Sequence, residues 1–284
     1  MTFDPRLTPA RPDLAADHLR DRVQADRYVS GKVFAVTAPQ APLRRAPSPD
    51  APLETEALKG DRVTVYDTTD EGWAWGQLAS DGYVGWLPTA ALGDARIDVT
   101  HKVTALRTIA FPGPSIKLPP VEMLSLGCRL AVTMFAGSFA VTDEGHYLPS
   151  RHLASLDRFE TDPVAVAERF LGIPYLWGGK TSLGLDCSGL VQVAFTACGI
   201  PCPRDSDMQQ TMLGDGVDFP GHGLARGDLL FWPGHVALAC DADTIIHANA
   251  FHMAVAIEPV AEALPRIKAA GSDLTCVKRL NRAV

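Results

Sequence analysis

The chain has 284 residues, 46% of them hydrophobic and 21% charged, which is enough for two or three domains with proper cores. With 26 basic against 33 acidic residues and a net charge of −7, neither nucleic acid nor an anionic membrane is expected as its main partner. No run of about 18 apolar residues offers a membrane-spanning helix. Met1-Thr2-Phe3-Asp4-Pro5-Arg6-Leu7-Thr8-Pro9 has neither the basic nor the apolar part of a secretory signal, so a cytoplasmic location is expected. The six cysteines, Cys128, Cys187, Cys198, Cys202, Cys240 and Cys276, follow no disulfide-scaffold rhythm and read as reduced thiols.

Residues 1–29 are rich in Pro, Arg and Asp and read as a leader that packs over other domains. The regular element they suggest is a short helix over Asp13–Ala25. From Val33 the texture changes to short alternating runs: Arg62-Val63-Thr64-Val65-Tyr66, Trp73-Ala74-Trp75-Gly76-Gln77-Leu78 and Tyr83-Val84-Gly85-Trp86-Leu87-Pro88. Asp70-Glu71-Gly72 and Ser80-Asp81-Gly82 mark hairpins between them. Strands at this spacing predict a small barrel. A weak repeat follows, because Val36-Thr37-Ala38 stands to Gly60-Asp61-Arg62-Val63 as Val103-Thr104-Ala105 stands to Gly127-Cys128-Arg129-Leu130. Two all-β barrels are therefore expected, over residues 30–94 and 95–157.

The chemistry lies further on, in residues 158–284. Pro174-Tyr175-Leu176-Trp177-Gly178-Gly179 reads as a tight approach loop. Asp186 is placed to cap a helix on which Leu190, Val191, Ala194 and Ala197 share one face and which Gly199 ends. Cys187 then sits in the first turn, where the positive end of the helix dipole favours thiolate, so a lowered thiol pKa is expected. Gly227–Trp232 reads as a strand, Pro233-Gly234 as a turn, and His235–Ala239 as a returning strand. Thr244–Ala248 is a third strand carrying His247. Neighbouring antiparallel strands can set His235 beside His247, giving a thiol, an imidazole that takes its proton and a third group that orients the imidazole. His252 competes for that third place but falls in a turn. Cys198-x-x-x-Cys202 has no second ligand pair at a zinc spacing, so no metal is expected.

The order Tyr175-x-Trp177-Gly178-Gly179, Asp186-Cys187-Ser188-Gly189-Leu190, Gly227-Asp228-Leu229, His235-Val236-Ala237 and His247 resembles the NlpC/P60 cysteine peptidases of bacterial cell-wall metabolism, over roughly residues 160–284. Gly72-Trp73-x-Trp75 and Gly82-Tyr83-x-Gly85-Trp86 resemble bacterial SH3-like modules, with the second barrel a degenerate relative. The resemblance implies an α+β papain-like catalytic domain preceded by two small all-β SH3-like barrels. It also implies a substrate, the peptide stem of peptidoglycan, cut between D-γ-glutamate and a diamino acid.

On that resemblance Cys187 is the nucleophile, His235 the base, His247 its orienting partner and Tyr175 an oxyanion donor. Asp186, Ser188, Ser206 and Trp177 are the expected substrate contacts. In related soluble enzymes the first barrel closes one end of the cleft, so that an acidic side chain and a tyrosine grip a free N-terminal L-alanine amine. Glu56 and Tyr83 are the candidates here. The expected activity is that of a monomeric γ-D-glutamyl-L-diamino acid endopeptidase in cell-wall recycling, with no cofactor and a bell-shaped pH dependence. A secreted wall hydrolase, a non-catalytic peptide-binding protein, and an acyltransferase or amidase on the same fold are the alternatives.

Overall fold

Gly72 and Gly82 adopt φ angles of +86° and +77°, the left-handed region that hairpin turns need and that glycine enters without strain. They join Arg62–Thr68, Trp73–Leu78 and Val84–Pro88 into successive antiparallel neighbours within a seven-stranded sheet. The computed structural model describes residues 3–95, 98–219 and 221–280, and the chain forms two compact units, residues 1–157 and 158–284. In the first unit Val36, Leu43, Val63, Ala74, Leu78 and Leu87 form one core with the buried Tyr83.

Trp75 lies directly opposite Trp86 across the ladder, and the leader covers both rings. Leu14 is fully buried against them. The Arg11 guanidinium lies 4.5 Å from the Trp75 ring centroid and 5.0 Å from that of Trp86, a cation–π arrangement held by Asp13 at 2.8 Å and Asp67 at 2.5 Å.

The leader differs from expectation here. Ala10–Arg11, Leu14–Ala16 and Arg27–Val29 make a three-stranded sheet, and the helical content of Asp13–Ala25 is a single 3₁₀ turn, Asp17–Leu19. Leu14, Ala15 and Ala16 are all buried in succession, flanked by strands on both sides. A helix would give up both ladders and turn Leu14 away from the indoles, so tertiary packing overrides local propensity.

The sequence repeat has a counterpart in hydrogen bonds. Gly60 and Gly127, at φ +87° and +94°, donate to the carbonyls of Val36 and Val103. The amides of Val36 and Val103 donate in turn to Asp61 and Cys128. Thr37 and Ala38 share the Ala91 carbonyl, as Thr104 and Ala105 share that of His152. The second copy builds its own core from Val103, Ala110, Leu124, Cys128, Leu130 and Leu148.

The second unit is a six-stranded antiparallel sheet in the order Asp215–Val217, Cys276–Arg279, Leu229–Trp232, His235–Ala239, Thr244–Asn249, Ala254–Pro259. Among the described residues four helices accompany it: α1 (Pro163–Glu168), α2 (Cys187–Ala197), α3 (Ser206–Met212) and α4 (Val260–Ala269). α2 packs on α1 and on the strands that carry the two histidines. Ala263 of α4 joins Leu230, Trp232, Ala237, Ala239 and Ile245 in one core cluster. Gly199, at φ +75°, ends α2 as expected, and the amides of Gly199 and Ile200 fold back onto the carbonyls of Thr196 and Phe195.

Candidate active site

Asp186 fixes where the thiol stands. It is extended, at φ −92° and ψ 179°, and its Oδ1 accepts the Gly189 amide at 2.7 Å and the Ser188 hydroxyl at 3.3 Å. Its Oδ2 accepts the Gly178 amide at 2.8 Å. Arg204, whose side chain is 1% exposed, forks onto both oxygens at 2.9 and 2.7 Å and also reaches the Ser188 Oγ at 2.9 Å and the Gly179 carbonyl at 3.3 Å. One carboxylate thus ties the approach loop, the start of α2 and the Arg204 segment together. The close approach requires glycine, since a Cβ on Gly189 would lie 2.3 Å from the Gly179 carbonyl oxygen.

Cys187 is the first residue of α2 and is buried. Its Sγ lies 4.0 Å from the carbonyl of Gly234, the residue before His235. Burial pushes its pKa up to about 12 and the neighbouring Asp186 adds to the rise, against the lowering pull of the Val236 amide, Arg204 and the Ser188 amide. The expected lowering of the thiol pKa is therefore corrected. The helix N-terminus is there, but desolvation opposes the thiolate and the capping carboxylate opposes it further.

The imidazoles form a chain. His235 Nε2 and His247 Nδ1 are 2.8 Å apart, and the Trp232 ring lies against His235, with centroids 5.6 Å apart. His247 is buried, and its Nε2 lies 2.5 Å from Glu258 Oε1, which also accepts Arg266 Nη2 at 2.5 Å. His247 stands opposite Ala256 and Glu258 opposite Ile245, so the two are diagonal neighbours on one face of the sheet, with Arg266 supplied by α4. Burial lowers the His235 pKa to about 3, with the neighbouring His247 and Arg266 acting in the same direction and Glu258 against it. Burial alone would raise Glu258, but its bonds from His247 and Arg266 win and hold it below its ordinary value. Burial thus acts against charge on both the thiol and the imidazole.

The remaining sequence candidates fall as follows. Tyr175 is half-buried, and burial, with Cys187 and Asp186 close by, raises its phenol pKa, so the hydroxyl keeps its proton as a donor. The Ser188 hydroxyl lies inside the Asp186–Arg204 cluster. Ser206 is the buried first residue of α3, and Trp177 is 65% exposed. In the first unit Tyr83 belongs to the core and donates to Glu54 Oε2 at 3.4 Å, while Glu56 is buried on the strand Leu53–Leu58.

Sequence reasoning missed Arg204, Glu258, Arg266 and Glu54. A buried Asp at a helix cap calls for a cation, and a lone acid between Ile257 and Pro259 after the His247 strand was a readable signal for Glu258. As for metals, Glu122, Glu144 and His146 bring ligand atoms within 4.8 Å of one another. The Lys59 ammonium already takes the cation's part there, at 3.0 Å from Glu122 and 2.8 Å from Glu144.

The chain is similar to known proteins in both units. Residues 172–270 match the profile of the NlpC/P60 family, and residues 43–92 that of the bacterial dipeptidyl-peptidase Sh3 domain. The γ-D-glutamyl-L-lysine dipeptidyl-peptidase of Bacillus cereus (strain ATCC 10987 / NRS 248) is 28% identical over 240 residues, covering 73% of this chain and 71% of the relative. The protein of the same name from Bacillus subtilis (strain 168) is 30% identical over 200 residues, covering 64% of this chain and 65% of the relative. A crystal structure of an NlpC/P60 family protein from Bacillus cereus ATCC 10987 superposes with a TM-score of 0.74 at 24% identity, over 87% of this chain and 99% of that one, which shows the shared fold.

Proposed function

This chain belongs to the NlpC/P60 family of cysteine peptidases, and from that premise we propose that it hydrolyses the amide between γ-D-glutamate and the diamino acid of peptidoglycan stem peptides. The product is L-Ala-γ-D-Glu, taken from free-amine peptides during cell-wall recycling in the cytoplasm, by a monomer without cofactor. The observation that carries the reading is the buried thiol at the capped start of α2, next in space to the turn that opens the His235 strand.

The reaction is acyl transfer through a thioester. His235 Nδ1 takes the thiol proton as Sγ bonds to the γ-carbonyl carbon, a general-base step. The oxyanion is met by the Cys187 main-chain N–H and the Tyr175 hydroxyl. Collapse breaks the C–N bond while His235 returns the proton to the departing amine. Water, giving a proton to the same nitrogen, then attacks the thioester, and the carboxylate leaves as the thiol is re-formed. His247 keeps the imidazole in register.

Ser188, Ser206 and Trp177 contact the glutamyl part. Asp186, with both oxygens engaged by Arg204 and main-chain amides, acts by shaping that subsite. The matching hydrogen bonds around Val36 and Val103 support reading residues 95–157 as a second, degenerate SH3-like barrel. The Tyr83 hydroxyl with Glu54, and Glu56 on the same strand, have the chemistry to hold the free ammonium of L-alanine.

The test is product analysis by mass spectrometry. L-Ala-γ-D-Glu-meso-diaminopimelate and its N-acylated copy are incubated with wild type and with Cys187→Ala. The expected result is cleavage of the free-amine peptide by wild type alone. Equal cleavage of both peptides would point to a wall hydrolase, and cleavage of neither to a different acyl acceptor or a binding role.

A further inference from the structure

A neutral imidazole carries one proton on either of two nitrogens, and only one choice leaves His235 able to act as a base. His235 Nε2 faces His247 Nδ1. If the proton between them belongs to His247, His235 must accept it at Nε2 and carry its own proton on Nδ1. That state cannot take a proton from a thiol. If the proton belongs to His235 Nε2, Nδ1 is a free lone pair. Two imidazoles in series do not settle this by themselves.

A carboxylate at the far end does settle it. Glu258 Oε1 lies 2.5 Å from His247 Nε2. It also accepts Arg266, which keeps it ionised, and an ionised carboxylate can only accept. His247 must therefore hold its proton on Nε2 and offer Nδ1 as the acceptor. Arg266 is itself held in place, its guanidinium 4.3 Å from the centroid of the Phe251 ring. The charged and titratable groups around His235 are thus His247 from the adjoining strand, Glu258 from the strand beyond it, Arg266 from α4 and Cys187 from α2, with the Trp232 ring on its own hairpin.

We propose that Glu258 is a positioning residue for the Cys187–His235 pair: by accepting from His247 Nε2–H it makes His247 Nδ1 accept from His235 Nε2–H, which leaves His235 Nδ1 free to take the thiol proton. The same buried negative charge offsets the imidazolium that forms when the proton arrives. The chain of acceptors makes the working group of this site four side chains long, Cys187, His235, His247 and Glu258, with Arg266 as counter-ion. The inference rests on the cysteine-peptidase reading above but not on the identity of the peptide.

The test reads the thiol itself. The rate of Cys187 carboxamidomethylation by iodoacetamide is followed against pH in the full chain, by intact mass and peptide mapping, for wild type, Glu258→Gln and His235→Ala, with thermal melts alongside. For Glu258→Gln the expected result is a rate at neutral pH lower by about tenfold or more, the fall of general-base assistance when an imidazole loses its orienting acceptor. The acidic limb should move to lower pH, and the rate should converge with wild type at alkaline pH, where thiolate forms unaided. A profile superimposable on wild type in a folded protein overturns the proposal.

Should Glu258→Gln fail to fold, Arg266→Met carries the test. Removing that positive charge is expected to move the acidic limb to higher pH, and an unmoved limb overturns the proposal. Because alkylation needs no peptide, a wild type that shows the expected pH profile yet cleaves no stem peptide would sink the substrate assignment and leave Glu258 in place.

Discussion

The second unit holds two carboxylate–arginine pairs, Asp186–Arg204 and Glu258–Arg266, that look alike and work differently. In the first, Arg204 forks onto both oxygens of Asp186, and the remaining lone pairs meet the amides of Gly178 and Gly189. The donors there are a guanidinium, two main-chain amides and the Ser188 hydroxyl, with no imidazole among them, and the pair acts as a rivet at the start of α2. In the second, Arg266 and an imidazole converge on one oxygen of Glu258. That carboxylate ends a chain of groups that can change protonation. The same two residue types therefore hold the nucleophile in one place and set the base in the other, and what separates them is whether a titratable ring is among the partners.

The comparison breaks first at the rivet. Arg204→Met leaves Asp186 buried with its charge uncompensated, a loss of about 3–5 kcal/mol, to be read in urea unfolding of the second unit. A loss below about 1 kcal/mol would mean that the fork is no anchor. On the other side, His247→Ala should lower kcat/KM on the stem peptide by roughly 100-fold or more with a much smaller change in stability, which reverses the balance expected at Arg204.

The pH dependence sharpens the contrast, since His235 belongs to the second side. A His235 pKa lowered to about 3 means that the unfolded chain binds more protons than the folded one between that value and the ordinary histidine value of about 6.5. The His235 contribution is then fully present above about 6.5 and is lost as pH falls toward 3. Cys187, raised to about 12, acts in the opposite sense, its contribution being lost as pH rises above the ordinary thiol range. Melting temperatures against pH for wild type, His235→Gln and Cys187→Ala check both signs, each variant losing its own slope. Smallest of all, Phe251→Ala removes an exposed ring from Arg266. A cation–π contact at such a site contributes about 0.5–1 kcal/mol, so activity should change only a few-fold in steady-state assays.

Much of this site was legible because its signals are local. Asp186 before Cys187 and Gly199 after the apolar face mark both ends of α2, and Pro233-Gly234 between two apolar runs puts His235 at the opening of a strand. The pairing of His235 with His247 followed from antiparallel neighbours joined by a short turn. Residues whose role depends on distant partners escaped. Arg204 and Glu258 look like surface charges until the fold encloses them, and the thiol pKa was misjudged because a helix dipole can be read from sequence whereas desolvation cannot. The leader failed for the same reason, since Leu14 became a strand residue only through the indoles of Trp75 and Trp86, which lie far along the chain.

The measurement that bears most directly on the account is rapid-quench mass spectrometry of the enzyme during turnover of L-Ala-γ-D-Glu-meso-diaminopimelate. A covalent L-Ala-γ-D-Glu adduct that maps to Cys187 and is absent from Cys187→Ala, together with the diamino acid released ahead of the dipeptide, is the predicted result. Product formation by Cys187→Ala, or an adduct on any other residue, would contradict it.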